Sequence, residues 1–213
     1  MNIRSAVLFV ALTSAALGCE DPAKGKVRAE VAEAAKSAEA PANATAEKLA
    51  LTSSNTKLSW VGSKVTGKHE GSFKTLSGSV ELTDGKAEAA KVSVEIDMAS
   101  VDSDHPKLTG HLKSGDFFDV GTHPKSKFVS TKIAAGGKDG ATHTITGNLT
   151  LRGQTKSVSF PAKVQLDKSK LHVGAEFVIN RKDFGIAYPG KPDDLIRDDV
   201  VLKLEIDVPR SSN

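Results

Sequence analysis

Cysteine is almost missing from this chain: there is one in 213 residues, Cys19. A single thiol forms no disulfide within the chain, so the fold cannot depend on one. Aromatic residues make up only 5%, with a single Trp and a single Tyr. Any core must therefore be built mainly from Val, Leu, Ile and Ala. No apolar run reaches the roughly 20 residues that a membrane-spanning helix needs. Neither charge sign dominates: 29 Lys and Arg stand against 26 Asp and Glu, for a net charge of +3. The cations are spread along the chain, which argues against a basic patch for nucleic acid. There is no Gly-x-Ser-x-Gly and no phosphate-binding loop, so hydrolase and nucleotide chemistry have no footing in motifs.

What is present begins with a short head carrying one charge, Arg4, followed by apolar and small residues over 5–17. The run fits the apolar core of a secretory signal. Gly18 and Cys19 come next. Residues 1–18 resemble a bacterial lipoprotein signal, after which the cysteine takes a diacylglyceryl group and becomes the mature N-terminus. Ala16 and Leu17 depart from the usual Leu-then-small order. The alternative is an ordinary signal cut near Ala15 or Gly18. That would leave a lone thiol in an oxidising compartment, which is a liability. The expectation is export to the periplasm or cell envelope, with a membrane anchor on Cys19.

Residues 19–54 contain eleven alanines up to Ala50 and no aromatic residue. They lack the apolar bulk to bury a core and read as a flexible tether. Within them, residues 29–40 are rich in Ala, Glu and Lys and favour helix over coil. Val27 and Val31 are the only large apolar candidates for a coiled-coil seam, too few to form one.

From residue 55 to 209 the texture changes to period-2 alternation, the mark of strands with one dry face. Leu171, Val173, Ala175, Phe177 and Ile179 share one parity, and the opposite parity is polar except for Val178. Val92, Val94 and Ile96 alternate with Ser93, Glu95 and Asp97. Ile145 and Leu149, Phe160 and Val164, and Leu202, Leu204 and Ile206 follow the same rule. Eight strand candidates result, with turns at 83–86 and 136–140 and one locally helical stretch at 104–114. No strand–helix–strand spacing appears, so the fold class is all-β and antiparallel. Eight long strands, each apolar on one side, close into a barrel or a two-sheet sandwich. The alternation serves equally a ligand cavity or a packed scaffold filled by Leu149, Phe160, Phe177 and Leu204.

At this point the chain resembles the YceI family of lipid- or polyisoprenoid-binding proteins. Gly71-Ser72-Phe73 with Leu76-Ser77-Gly78 carries the resemblance, as do Ile96 to Val101, His111 to Val120 and His123-Pro124. Thr146 to Lys156 matches the family's G-x-L-T-x-x-G-x-T-K pattern. Asn180-Arg181-Lys182-Asp183-Phe184-Gly185 matches its N-R-x-D-F-G. The resemblance runs in order over residues 57–208. It implies an eight-stranded lipocalin-like barrel with a long apolar cavity, exported to the periplasm. The ligand it implies is an isoprenoid or quinone-type lipid. The Asp-rich extension at 190–197 is not standard for the family.

The expected apolar wall is Val92, Val94, Ile96, Ile145, Leu149, Phe160, Val164, Phe177, Ile179, Leu202, Leu204 and Ile206. A polar head would need a donor or cation at the mouth. Arg152 and Arg181 are the candidates, with His105 and His111 behind them, and a structural ion pair is the alternative for Arg181. No cofactor is expected. Asp102, Asp104, His105, His111, Asp116 and Asp119 crowd one region without a zinc spacing. Asp193, Asp194, Asp198 and Asp199 lack the pattern of a calcium loop. No titratable group sits on the apolar parity of the cleanest strands, so catalysis is not expected.

Overall fold

A computed structural model describes residues 20–36 and 46–210. The expected signal peptide and Cys19 lie outside the described residues. The strands are β1 (Glu30–Glu33), β2 (Ala46–Thr52), β3 (Thr56–Lys64), β4 (Gly67–Phe73), β5 (Leu76–Thr83), β6 (Lys86–Asp97), β7 (Val101–Ser103), β8 (Lys125–Ala135), β9 (His143–Leu151), β10 (Gln154–Leu166), β11 (Lys170–Asn180), β12 (Gly190–Lys191), β13 (Asp194–Leu195) and β14 (Asp199–Pro209). One helix, α1 (Pro106–Leu112), falls inside the stretch expected to be helical, and Pro106 opens it. Proline suits a first helical turn because its missing N–H has no partner there anyway.

Every strand pair is antiparallel, in the order β2-β5-β6-β8-β9-β10-β11-β14-β3-β4-β7, with β1 added beside β10. The ends of that path are continuous in the chain. β2 runs into β3, β4 into β5, and β6 into β7 through the short 3-10 turn Met98–Ser100. Counting each bent pair as one stave gives eight staves whose pairing runs full circle. Residues 71–82, which by sequence form one of the eight strand candidates, are split between two strands, with Lys74 and Thr75 at the break. Asp84-Gly85 and Arg152-Gly153 form two-residue hairpin turns, and all four have positive φ (53°, 65°, 48° and 71°). That is the twist two-residue hairpins require.

One seam in the barrel is weak. β10 pairs with β11 only from Lys163↔Gly174 to Leu166↔Leu171. Beyond that the two strands part, and residues 27–33 fill the gap. β1 pairs with β10 from Glu30↔Ser159 to Glu33↔Lys156. On the other side, the Ala29 N–H donates to the Val178 carbonyl and the Val178 N–H to the Val27 carbonyl, both at 2.8 Å. Ala23 is buried against Val61, Val178 and Val201 on the barrel's outer face. Its cover accounts for Val178, the apolar residue on the polar parity of β11.

Two expectations for residues 19–54 are therefore corrected. Where described, this segment is docked rather than free. The Ala/Glu/Lys run expected to favour helix contains a strand, because two unpaired strand edges outbid a weak helix propensity. The barrel also starts at residue 46, not 55: β2 pairs with β5, and Leu49 and Leu51 are 6% and 1% exposed. A carboxylate clamp holds this strand to the end of β14. The Arg210 guanidinium donates to both Glu47 oxygens, at 2.6 to 3.2 Å.

Two outcomes are expected. Trp60 stands opposite Gly71, and a Cβ at Gly71 would strike the indole and the Asp102 carbonyl. A carbonyl in a ladder cannot yield, so Gly71→Ala should cost about 1–3 kcal/mol in urea denaturation, as overpacking does. The second concerns acid. The Arg210 hydrogen bond, opposed by partial burial, holds the Glu47 pKa below the ordinary carboxylate value. The folded pKa is depressed, so this contribution is present above the unfolded pKa and lost as pH falls through the folded one. Glu47→Gln should flatten the acid limb of the stability profile and leave the neutral-to-basic limb parallel to wild type.

Candidate functional site

The inward parities of the staves enclose two adjoining chambers. The smaller, ≈ 120 Å³, is walled entirely by apolar side chains. The larger, ≈ 370 Å³, is apolar over most of its wall and polar toward the end formed by α1, the β3–β4 turn and the 186–197 loop. Ligand pockets span roughly 300–1,000 Å³, so the larger chamber alone lies in that range. Leu58, Ile96, Leu149 and Leu202 line both chambers and mark the junction.

All twelve residues expected on the apolar wall face this space. Val92, Val94, Ile145, Phe160, Val164, Phe177, Leu204 and Ile206 line the small chamber. Ile179 lines the large one, and Ile96, Leu149 and Leu202 line both. Phe160 and Phe177 stack across the weak seam, with ring centroids 4.2 Å apart and planes 11° from parallel. Alternation could not reveal the rest of the large chamber's wall. Leu108 and Leu112 come from one turn of α1, and Phe117, Phe118, Ile186 and Tyr188 come from loops. His111, Phe117 and Tyr188 form an edge-on aromatic cluster there, with centroids 4.9 to 5.5 Å apart.

The four mouth candidates separate. His111 lines the large chamber, with Nε2 2.8 Å from Asp116 Oδ2. Arg181 lines it too but is 4% exposed, and its donors are spent on the protein. Nη1 donates to the Ile186 carbonyl at 2.7 Å, Nε to the Arg197 carbonyl at 3.2 Å, and Nη2 to Asp198 Oδ1 at 3.1 Å. Burial pulls the Arg181 pKa below its ordinary value, and Asp198 opposes that pull. The N-R-x-D-F-G segment thus reads as a plug. Asn180 caps its 3-10 turn, Phe184 is 0% exposed, and Gly185 closes it at φ 71°. Arg152 does not line the cavity. Its Nη1 donates to the Gly185 carbonyl and its Nη2 to the Gly115 carbonyl at 2.7 Å, so it staples two loops to the β9–β10 turn. His105 is exposed at the start of α1, away from the cavity lining.

Trp60 and Ser63 were not anticipated. Both line the large chamber and are 7% and 6% exposed. Trp60 Nε1 and Ser63 Oγ are buried without a hydrogen-bond partner in the described structure. A buried donor left unpaired costs about 1–3 kcal/mol, so such atoms are rare and informative.

Fold and site together define a lipocalin-like β-barrel with an internal apolar cavity that turns polar at one end. The chain belongs to the YceI-like domain family, whose model matches residues 49–208. A UPF0312 protein of Pseudomonas putida strain W619 is 38% identical over 126 residues, or 56% of this chain and 65% of the relative. One from Pectobacterium atrosepticum is 39% identical over 122 residues, 54% and 62% of the two chains. The match therefore spans somewhat less than two thirds of these relatives' length. Among solved structures, Burkholderia cenocepacia BcnA superposes with a TM-score of 0.62 at 27% identity, covering 71% of this chain and 95% of BcnA. A polyisoprenoid binding domain from Saccharophagus degradans shares the fold, with a TM-score of 0.60 at 15% identity over 78% of this chain and all of that one.

Arg181→Ala should lower stability by about 3–5 kcal/mol, the usual cost of removing one partner of a buried charge pair. Arg181→Lys keeps the charge but cannot reach every acceptor and should fall between. A variant that lost ligand affinity with an unchanged urea midpoint would instead make Arg181 a head-group contact.

Proposed function

We propose that this barrel binds an amphiphile with a long apolar chain, of the isoprenoid or quinone type, for carriage or sequestration in the cell envelope. The observation that carries the reading is the segregation of polarity. Among the described residues no polar one lines the small chamber, while the far end of the large one holds Ser63, His111 and Tyr188. A polyprenyl chain needs contiguous hydrocarbon wall, at about 0.8 kcal/mol per buried methylene. An oxygen on its head would give the Trp60 and Ser63 donors the partner they lack. The name of the Saccharophagus domain agrees with such a ligand, through likeness of fold. The role is binding without catalysis, in a protein exported and held to the membrane by lipidated Cys19. A scaffold barrel filled by its own side chains is less well supported, because Leu149, Phe160, Phe177 and Leu204 line a space instead of closing it.

Organic extraction of the purified full chain, followed by mass spectrometry, should yield a prenyl-chain lipid. Added prenyl phosphate or quinone should raise the melting temperature, by about 2.7 kcal/mol of stabilisation at a hundredfold excess over Kd. Leu204→Thr should weaken this at least severalfold. Glu205→Ala, on the exposed parity, should leave it unchanged. Equal losses in the two folded variants would refute the cavity reading of this strand.

A further inference from the structure

We propose that residues 21–33 form a releasable strap in the barrel wall, and that ligand enters and leaves through the seam this strap closes. The inference rests on the apolar-cavity reading above. Phe160 and Val158 of β10, and Phe177 of β11, line the small chamber on the two sides of the seam. Among the described residues, the only backbone linkage between these strands beyond Leu166↔Leu171 to Lys163↔Gly174 is the strap itself. Val31 pairs with Val158, and Ala29 packs against the interior cluster. Removing the strap would open a slot from solvent directly onto the hydrocarbon wall.

The strap is held differently from the rest of the barrel. Its apolar anchors are few and small: Ala23, Ala29 and the half-buried Val27 and Val31. Backbone pairing and ion pairs supply the remainder. Arg28 grips Asp199 through both terminal guanidinium nitrogens, Lys26 meets Glu176, Glu33 meets Lys156 at 2.6 Å, and Asp21 meets Arg197 at 3.6 Å. Exposed pairs of this kind each contribute little and weaken with salt. Against them stands the conformational entropy lost in ordering the backbone of the strap. Segments with little apolar burial are those that open without global unfolding. The strap also starts right after Cys19. At ~3.5 Å per residue, a lipid on that cysteine would lie within ~14 Å of Ala23. A lipid anchor on Cys19 would thus hold the seam close to the bilayer.

The test uses the full chain and the neutral apolar dye N-phenyl-1-naphthylamine, whose fluorescence reports its release in stopped-flow dilution. Arg28→Glu should speed release about tenfold and Arg28→Glu/Asp199→Arg should restore it. Wild-type release should quicken with added NaCl. Ala32→Cys/Ser157→Cys in a Cys19→Ser background staples the strap to β10, since these residues are paired. Its oxidised form should release dye at least tenfold more slowly than its reduced form. Equal rates in the oxidised, reduced and Arg28→Glu proteins would overturn the strap while leaving the cavity reading intact. Failure of the wild type to bind dye, prenyl phosphate or quinone would remove the cavity reading, and the route with it. Hydrogen exchange gives a ligand-free check. The Ala29 and Val178 amides should exchange faster than the β11–β14 ladder, and exchange only at the global unfolding rate would overturn the proposal.

Discussion

The structure depends on a mismatch between bore and filling. Eight antiparallel staves set a barrel wide enough to be filled by side chains or to hold one ligand. This chain faces that interior mainly with Val, Leu, Ile and Ala, and the described wall of the small chamber contains three aromatic rings. Branched aliphatic side chains of that length meet their neighbours around the wall but do not meet across the middle. The same residues that drive folding by leaving water also leave a space that is dry by construction. Stability and cavity therefore come from one set of side chains. A polar group on that parity would have no partner there, and the described wall of the small chamber carries none.

Polar chemistry is confined to one end, and most of it is structural. The buried guanidinium of Arg181 collects carbonyls from the 186–197 loop together with Asp198. Arg152 ties the loop after α1 to the N-R-x-D-F-G plug. These arginines build the closed end of the large chamber by satisfying backbone groups that loops leave unpaired. The polar groups that also line this chamber include the indole N–H of Trp60, the hydroxyls of Ser63 and Tyr188, and His111.

The wall is not uniform around its circumference. Most staves share ladders of several residues with both neighbours, whereas β10 and β11 share only the register near their hairpin. A barrel with one short ladder has two strand edges to cover. Here a segment of low apolar content covers them, by backbone pairing and charge. Such cover is weaker than the core it adjoins, and that difference in strength gives the wall a direction in which it can open.

The sequence by itself determined most of the long strands from residue 57 onward, their dry faces and the twelve wall residues. All of these follow from parity, and parity is local: a side chain two residues on points the same way whatever the fold. It also marked the turns at 83–86 and 136–140, because Asp-Gly pairs such as Asp84-Gly85 adopt positive φ at little cost. Tertiary structure decided the rest. The strand in the Ala/Glu/Lys run exists only because two distant edges stand apart at its own width. Val178 is apolar because Ala23 lies over it. Arg152 and Arg181 look alike in sequence, two arginines at the ends of strands, yet one staples loops outside the cavity and the other is sealed into its wall. No local pattern separates them, because most of their acceptors are backbone carbonyls, which every residue carries and only the closed barrel brings within reach.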